Sequence, residues 1–246
     1  MTGTRTTPRP ARRIAWRPVR PTGWWFDALL VAALVALTAI LATGALTSVD
    51  VAVRDWCQAH WSSVGLFLAK VGNRLGQGGA LVAVSLAIAG WFAWRRRTIR
   101  PLLPVLVAFA LTYGLLKPFK DLTDRPAPHN IQVAHPELFG GGGDSYPSGH
   151  VANAIVWYGV LALLLAPWLS DRLRVALRVA PPTVLCVTTV YLGYHWFTDT
   201  VAGLLTGLIL DRMMRRVPWD EPAPRQAHAD EPAPRQARTD EPEART

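Results

Sequence analysis

The sequence predicts an all-α fold, a polytopic membrane helix bundle of about six transmembrane helices. Two observations carry that prediction. Half of the 246 residues are hydrophobic, and they are gathered into long uncharged blocks instead of being spread at amphipathic spacing. The basic residues, which bring the formal charge to +9, cluster at alternate ends of those blocks.

The first block, residues 28–46, holds no charge over a length that crosses a hydrocarbon core about 30 Å thick. Trp24 and Trp25 mark its interface, where indole rings settle between headgroup and tail, and Asp27 behind them reads as an interfacial residue. The block is longer than the core of a cleavable leader and shows no clear small-residue cleavage site, so it reads as a span. Residues 47–77 lie beyond the membrane, with Val64 to Val71 able to form a short helix on or dipping into it. Further spans are predicted at 79–94, 101–116, 151–168, 175–194 and 200–210. The last is short, and Pro181-Pro182 predicts a kink or a late start in the one before it.

Orientation follows from the arginines. Arg5 to Arg20 precede the first span, Arg95, Arg96, Arg97 and Arg100 separate the second and third, Arg172, Arg174 and Arg178 the fourth and fifth, and Arg212, Arg215 and Arg216 follow the sixth. The opposite loops are poor in positive charge. This pattern predicts both termini in the cytoplasm of a cell inner (plasma) membrane protein. It also accounts for the basic balance through membrane lipids, with no nucleic acid partner.

Three regions result: a disordered basic tail at 1–22, the membrane domain at 23–218, and a disordered tail at 219–246. In the last, Asp-Glu-Pro-Ala-Pro-Arg-Gln-Ala starts at Asp220 and again at Asp230, a proline-rich and charged repeat that cannot bury a core. Cys57 and Cys186 fall at different depths, so no structural disulfide is expected. His60, His129 and His135 have no zinc-site spacing and read as solvated; Gly140 to Gly143 reads as a flexible lid or a plain linker.

The residues with chemistry fall on one face. The third span leads through Lys117 and Lys120 to Asp124-Arg125-Pro126, the fourth begins at Ser148-Gly149-His150, and the fifth ends at His195 with Asp199 opening the sixth. Two histidines, one followed by a carboxylate four residues on, suit transfer of a phosphoryl group between oxygens. His195 can attack phosphorus through one ring nitrogen while Asp199 accepts a hydrogen bond from the other. His150 can protonate the leaving alkoxide and then activate water. Lys120 and Arg125 can hold the equatorial oxygens, and Ser148 and Gly149 at a helix start can add a hydroxyl and backbone N–H groups.

These residues resemble the type-2 phosphatidic acid phosphatase superfamily, the lipid phosphate phosphatases related to vanadium haloperoxidases. Its pattern is Lys-x6-Arg-Pro, then Pro-Ser-Gly-His, then Ser-Arg-x5-His-x3-Asp. Pro147 to His150 matches the second element in full, and Tyr191 to Asp199 looks like the core of the third. The resemblance spans about residues 25–215. Two departures stand out. Thr188-Thr189 replaces Ser-Arg, and the first element is off register: either Lys117 stands one residue early, or Lys120 aligns and Ala127 takes the place of the usual arginine. The second alignment is preferred.

The resemblance implies a membrane phosphatase acting on a lipid phosphate or pyrophosphate through a phosphohistidine, with no cofactor and no metal, at the extracytoplasmic face. Members that transfer phospho-headgroups between lipids also lack that arginine, so transfer to a lipid or sugar hydroxyl stays open. So does a weakened site that only binds or moves lipid phosphates.

Overall fold

The computed structural model describes residues 23–129, 137–139, 142–217 and 219. The expectations for residues 1–22, for the repeats from Asp220 onward, for His135 and for Gly140 and Gly141 lie outside these residues.

The described residues form helices and no strand. Helix α1 (Trp24–Ala42) ends before Gly44, whose φ of 77° turns the chain. Two shorter helices follow at the same end, α2 (Thr47–Ala59) and α3 (Ser63–Asn73), the second capped by the Ser62 hydroxyl accepting from the Gly65 N–H at 3.0 Å. Helix α4 (Gly78–Arg96) closes on a basic last turn, Arg95 and Arg96, which suits the negative end of its dipole. The rod from Arg100 to Thr123 comprises α5 (Leu103–Leu111), a π turn (Thr112–Leu116) and α6 (Lys117–Thr123). Pro101 and Pro104 sit in its first turns, where a missing N–H costs little. Helices α7 (Gly149–Leu164), α8 (Asp171–Tyr191) and α9 (Phe197–Arg216) complete the bundle.

Four rods have the length and hydropathy of membrane spans: Trp24–Ala42, Gly78–Arg96, Arg100–Thr123 and Asp171–Tyr191. The other two predicted spans are α7, apolar but 16 residues long, and α9, 20 residues long with charged ends. Their positions explain the difference. α7 packs against α9, α8 and α4, with twelve of its residues buried. A helix facing protein need not match the apolarity of one facing lipid. α1 is the converse: Leu30 and Leu41 are its buried residues, while Leu29, Val31 and Val35 stay exposed.

Two expectations are corrected. α8 runs unbroken through Pro181 and Pro182 and starts early, at Asp171, where the Ser170 hydroxyl accepts from the Leu173 N–H at 3.3 Å. Neighbouring helices support a backbone that proline alone would interrupt. The sixth span is not short; it extends to Arg216 because its charged last turns find partners. Asp211 accepts from Arg178 at 2.6 and 2.7 Å and pairs with Arg215 at 2.9 Å. Asp27, read as an interfacial residue, pairs with both Arg212 and Arg216 and so ties α1 to α9.

Close approach of α7 and α9 sets the site. A Cβ on Gly203 would stand 2.7 Å from the Ser148 carbonyl oxygen, and one on Gly207 would stand 3.0 Å from the Ala152 Cα. Glycine at these two positions, one turn apart, lets the start of α7 lie against the start of α9.

Candidate active site

Three chain segments meet at one end of the bundle: the exit of α6, the entry to α7 and the α8–α9 turn. His195 lies on that turn, after Gly193 at φ 71°, and is buried. His150 is the second residue of α7. Their rings stand edge to face with centroids 5.6 Å apart, and His195 Nε2 is 3.4 Å from His150 Nδ1. The two imidazoles expected on one face are therefore neighbours.

The Nδ1 side of His195 differs from the expectation. Its nearest acceptor is the Ser145 carbonyl at 2.9 Å, and Asp199 Oδ2 is 3.8 Å away. A carbonyl oxygen can only accept, so in this hydrogen bond the neutral ring donates from Nδ1 and the lone pair on Nε2 faces His150. Asp199 acts one layer out. Its Oδ2 accepts from the Ser145 hydroxyl at 2.5 Å and from the Trp196 N–H at 2.9 Å, and thereby ties the segment before α7, whose carbonyl orients the ring, to the α8–α9 turn that carries it.

Arg125, expected at the substrate phosphate, is 0% exposed and lies in the protein interior. Nη1 donates to Asp199 at 2.5 Å and to the Thr198 hydroxyl at 2.8 Å, and Nη2 donates to Asp50 at 2.6 Å. Asp50, on α2, also accepts from the Thr198 N–H at 2.9 Å and hydroxyl at 2.6 Å. The guanidinium faces the Trp196 ring at 5.6 Å, and the indole N–H donates to the Pro126 carbonyl at 2.7 Å. Arg125 thus knits α2, the α6 exit and the α9 start together. A buried charge is tolerated because it is doubly paired.

Lys120 takes the place at the α7 entry. Its ammonium donates to the Asp144 carbonyl, and its Cε lies 3.2 Å from where a Cβ on Gly149 would stand. Gly149 thereby gives passage to the lysine stem. Lys117 points elsewhere and pairs with Asp121 at 2.5 Å, its side chain exposed. Ser148 is fully buried; its hydroxyl accepts from the Val151 N–H at 3.5 Å, and its own N–H donates to the Asp199 carbonyl at 2.9 Å. The helix start retains the N–H groups of Gly149 and His150 for an anion. Thr189, where an arginine was expected, is buried with its hydroxyl donating to the Leu185 carbonyl at 2.6 Å.

Asp50, Ser145, Trp196 and Thr198 were missed. Asp50 had a signal, an acid in a segment otherwise read as a plain outer loop; Ser145 acts through its backbone carbonyl, which no residue pattern reveals. Around the rim, Tyr194 stacks on His150 with centroids 6.4 Å apart, and His129, expected to be solvated, has its Nδ1 3.1 Å from the Gly193 carbonyl. Cys57 and Cys186 are both free thiols.

The helical membrane bundle thus carries a histidine pair, a buried carboxylate and a lysine at one rim. The chain belongs to the PAP2 superfamily, which matches residues 101–222. It is similar to phosphatidylglycerophosphatase B of Bacillus subtilis (strain 168), 32% identical over 143 residues that cover 56% of this chain and 68% of that protein. It is also similar to YbjG of Escherichia coli (strain K12), described as a candidate undecaprenyl-diphosphatase, at 32% over 130 residues covering 52% and 61%. Among solved structures it resembles the transmembrane PAP2-type phosphatidylglycerolphosphate phosphatase of Bacillus subtilis, with a TM-score of 0.64, 26% identity, and coverage of 76% of this chain and 93% of that one.

Proposed function

We propose that the chain is an integral membrane lipid phosphate phosphatase that hydrolyses a phosphomonoester or pyrophosphate of a lipid through a phosphohistidine on His195. The observation that carries this reading is the orientation of that ring: Nδ1 donates to the Ser145 carbonyl at 2.9 Å, and the Nε2 lone pair faces a second imidazole 3.4 Å away. The relatives' names supply the substrate class, lipids bearing a phosphate or diphosphate.

In the first step Nε2 attacks phosphorus and the P–O bond to the lipid oxygen breaks. His150, entering protonated, gives its proton to the departing oxygen. In the second, water loses a proton to His150 and attacks phosphorus, the N–P bond breaks, and inorganic phosphate leaves. Both rings return to their starting states. Lys120 and the N–H groups of Gly149 and His150 hold the equatorial oxygens as charge spreads over them. Arg125, Asp50 and Asp199 together carry one surplus negative charge, which favours the cationic ring of the intermediate. Substrate enters sideways from the outer leaflet, with the site extracytoplasmic and both termini cytoplasmic, in keeping with the arginine distribution.

The test is phosphate release from a panel of lipid phosphates in detergent with chelator present. His195→Ala is expected to abolish release and the acid-labile phosphoenzyme; His150→Ala is expected to slow release while phosphoenzyme still forms on substrates with good leaving groups. Release that survives His195→Ala would sink the reading. Thr189 favours a second reading. With its hydroxyl turned onto Leu185, the site has fewer cations than the superfamily pattern provides, which suits phospho-group transfer to a lipid or sugar hydroxyl. Product analysis with and without added acceptor separates the two.

A further inference from the structure

We propose that Asn153 is a specificity-determining residue of the histidine site, its amide donating to the lipid-side phosphate when the substrate is a lipid diphosphate. The inference rests on the phosphatase reading above and chooses within it. Asn153 lies on α7, four residues after Gly149 and three after His150, so it shares a helix face with both. Its Nδ2 stands 3.9 Å from where a Cβ on Gly149 would be, and Lys120 Nζ stands 3.7 Å from the same point. Amide and ammonium thus flank one glycine at the α7 entry. On its other side Nδ2 stands 3.2 Å from where a Cβ on Gly78 would be, and the Tyr113 hydroxyl is 4.0 Å from that second point. Glycine at both positions keeps a methyl from covering the amide.

The amide is unused by the fold. Asn153 stands in an otherwise apolar run, Val151 to Val156, is only half-buried, and makes no hydrogen bond among the described residues. An amide that satisfies nothing in a membrane helix costs free energy, and asparagine is a poor helix former, so packing alone does not account for it. Its Oδ1 is enclosed without a partner, which leaves the Nδ2 edge, the donor, towards the two glycines.

Lys120 and the N–H groups of Gly149 and His150 hold the phosphoryl group that His195 attacks. The Asn153 backbone lies about 6 Å further along the α7 axis than Gly149, on the side of the chains of a lipid entering sideways, and its side chain leans back over the preceding turn. The group met there joins the attacked phosphoryl to the lipid. In a monoester that group is an ester oxygen on an apolar chain; in a diphosphate it is a second phosphate, which a donor suits far better. When His195 Nε2 attacks the terminal phosphorus, the N–P bond forms and the bridging P–O bond breaks. The electron pair stays on the lipid-bound phosphate, which takes the His150 proton, and the amide N–H meets the charge that gathers there. Water then cleaves the N–P bond, returning its proton to His150 and releasing inorganic phosphate, with a lipid monophosphate as the other product.

Farnesyl diphosphate and farnesyl monophosphate, which share one chain, are the probes, given to the purified full chain in detergent with phosphate release read as kcat/KM. Asn153→Leu, close in volume but without a donor, is expected to lower kcat/KM about tenfold on the diphosphate and less than about twofold on the monophosphate, the loss of one hydrogen bond to a charged oxygen. Gly78→Ala, whose methyl would stand 3.2 Å from Nδ2, is expected to shift the ratio of the two values the same way by about threefold. It carries the test if thermal unfolding shows that Asn153→Leu does not fold. Equal losses on both lipids, or none, would overturn the proposal, since the amide would then serve packing or the attacked phosphoryl group alone. A wild type that releases phosphate from neither lipid would sink the hydrolase reading, and native mass spectrometry of farnesyl diphosphate bound to His195→Ala then decides the role of Asn153. Binding about tenfold weaker in His195→Ala/Asn153→Leu upholds it, and unchanged binding overturns it.

Discussion

Replacing Arg125 separates two roles that a sequence pattern cannot distinguish. If its guanidinium met substrate phosphate, Arg125→Ala would raise KM and leave the folded protein intact. The structure leads to the opposite outcome. Arg125 is 0% exposed and donates to Asp199, Asp50 and the Thr198 hydroxyl. Removing it leaves two buried carboxylates facing each other with no cation between them, a change that costs about 3–5 kcal/mol for a broken buried pair. Arg125→Lys keeps the charge but offers a point donor where a fork spans two acids. It loses at least one charge-assisted bond, about 1.5–3 kcal/mol. The assay is thermal unfolding in detergent beside initial rates at varied substrate. The expected order of unfolding midpoints is wild type, then Arg125→Lys, then Arg125→Ala, with rates falling through kcat as Asp199 and the His195 loop loosen. A variant that melts like wild type and shows only a raised KM would refute the reasoning.

Other residues test neighbouring links. Ser145→Ala removes the 2.5 Å bond to Asp199 while keeping the carbonyl that orients His195, so kcat is expected to fall about tenfold, matching a loss of about 1.4 kcal/mol, with KM nearly constant in steady-state kinetics. Gly203→Ala places a methyl 2.7 Å from the Ser148 carbonyl oxygen, a backbone atom that cannot step aside; overpacking of about 1–3 kcal/mol and loss of phosphate release are expected, whereas Gly90→Ala, with open space around it, is expected to be silent in both. Burial pushes the Tyr146 phenol up to about 12. The folded state therefore keeps the proton that the unfolded chain releases near pH 10, and stability is lost as pH rises from about 10 towards 12. Tyr146→Phe is expected to flatten part of that decline in thermal midpoints read against pH, at the cost of the 2.7 Å bond to Thr38.

What could be read from the sequence followed how local each signal was. Uncharged blocks gave the lipid-facing rods because hydropathy acts residue by residue along one helix. The Pro-Ser-Gly-His and His-x3-Asp pieces point to two histidines that the fold brings together, His195 Nε2 lying 3.4 Å from His150 Nδ1. Lys120 was preferred over Lys117 from the pattern, and Lys120 is the one beside Gly149. The ion pair of Arg125 is not legible in the sequence because its partner Asp50 lies 75 positions away on another helix. The bonds of Ser148 are hidden for a related reason: its N–H meets Asp199 through the packing of α7 on α9, and its hydroxyl accepts from Val151. The two prolines of α8 were overweighted because propensity was weighed without the neighbours that support the helix.

The division of charge at the histidine end bears on how such a site can turn over with few cations. A cation that grips phosphate equally in the ground state and the transition state lowers KM without raising kcat. On the proposed chemistry, Thr189 and Ala127 in place of arginines leave Lys120 and two helix N–H groups for the ground-state anion. In that chemistry the surplus negative charge of Asp50, Arg125 and Asp199 would act on something different, the imidazolium formed once His195 attacks. On the proposed chemistry this arrangement spends little on the bound substrate and keeps its electrostatic support for the intermediate. Asp50→Asn, isosteric and remote from substrate, removes that surplus; it is expected to lower the rate of phosphoenzyme formation in a rapid-quench experiment while leaving substrate affinity unchanged. An unchanged quench rate in a variant that folds would show that the buried triad serves packing alone.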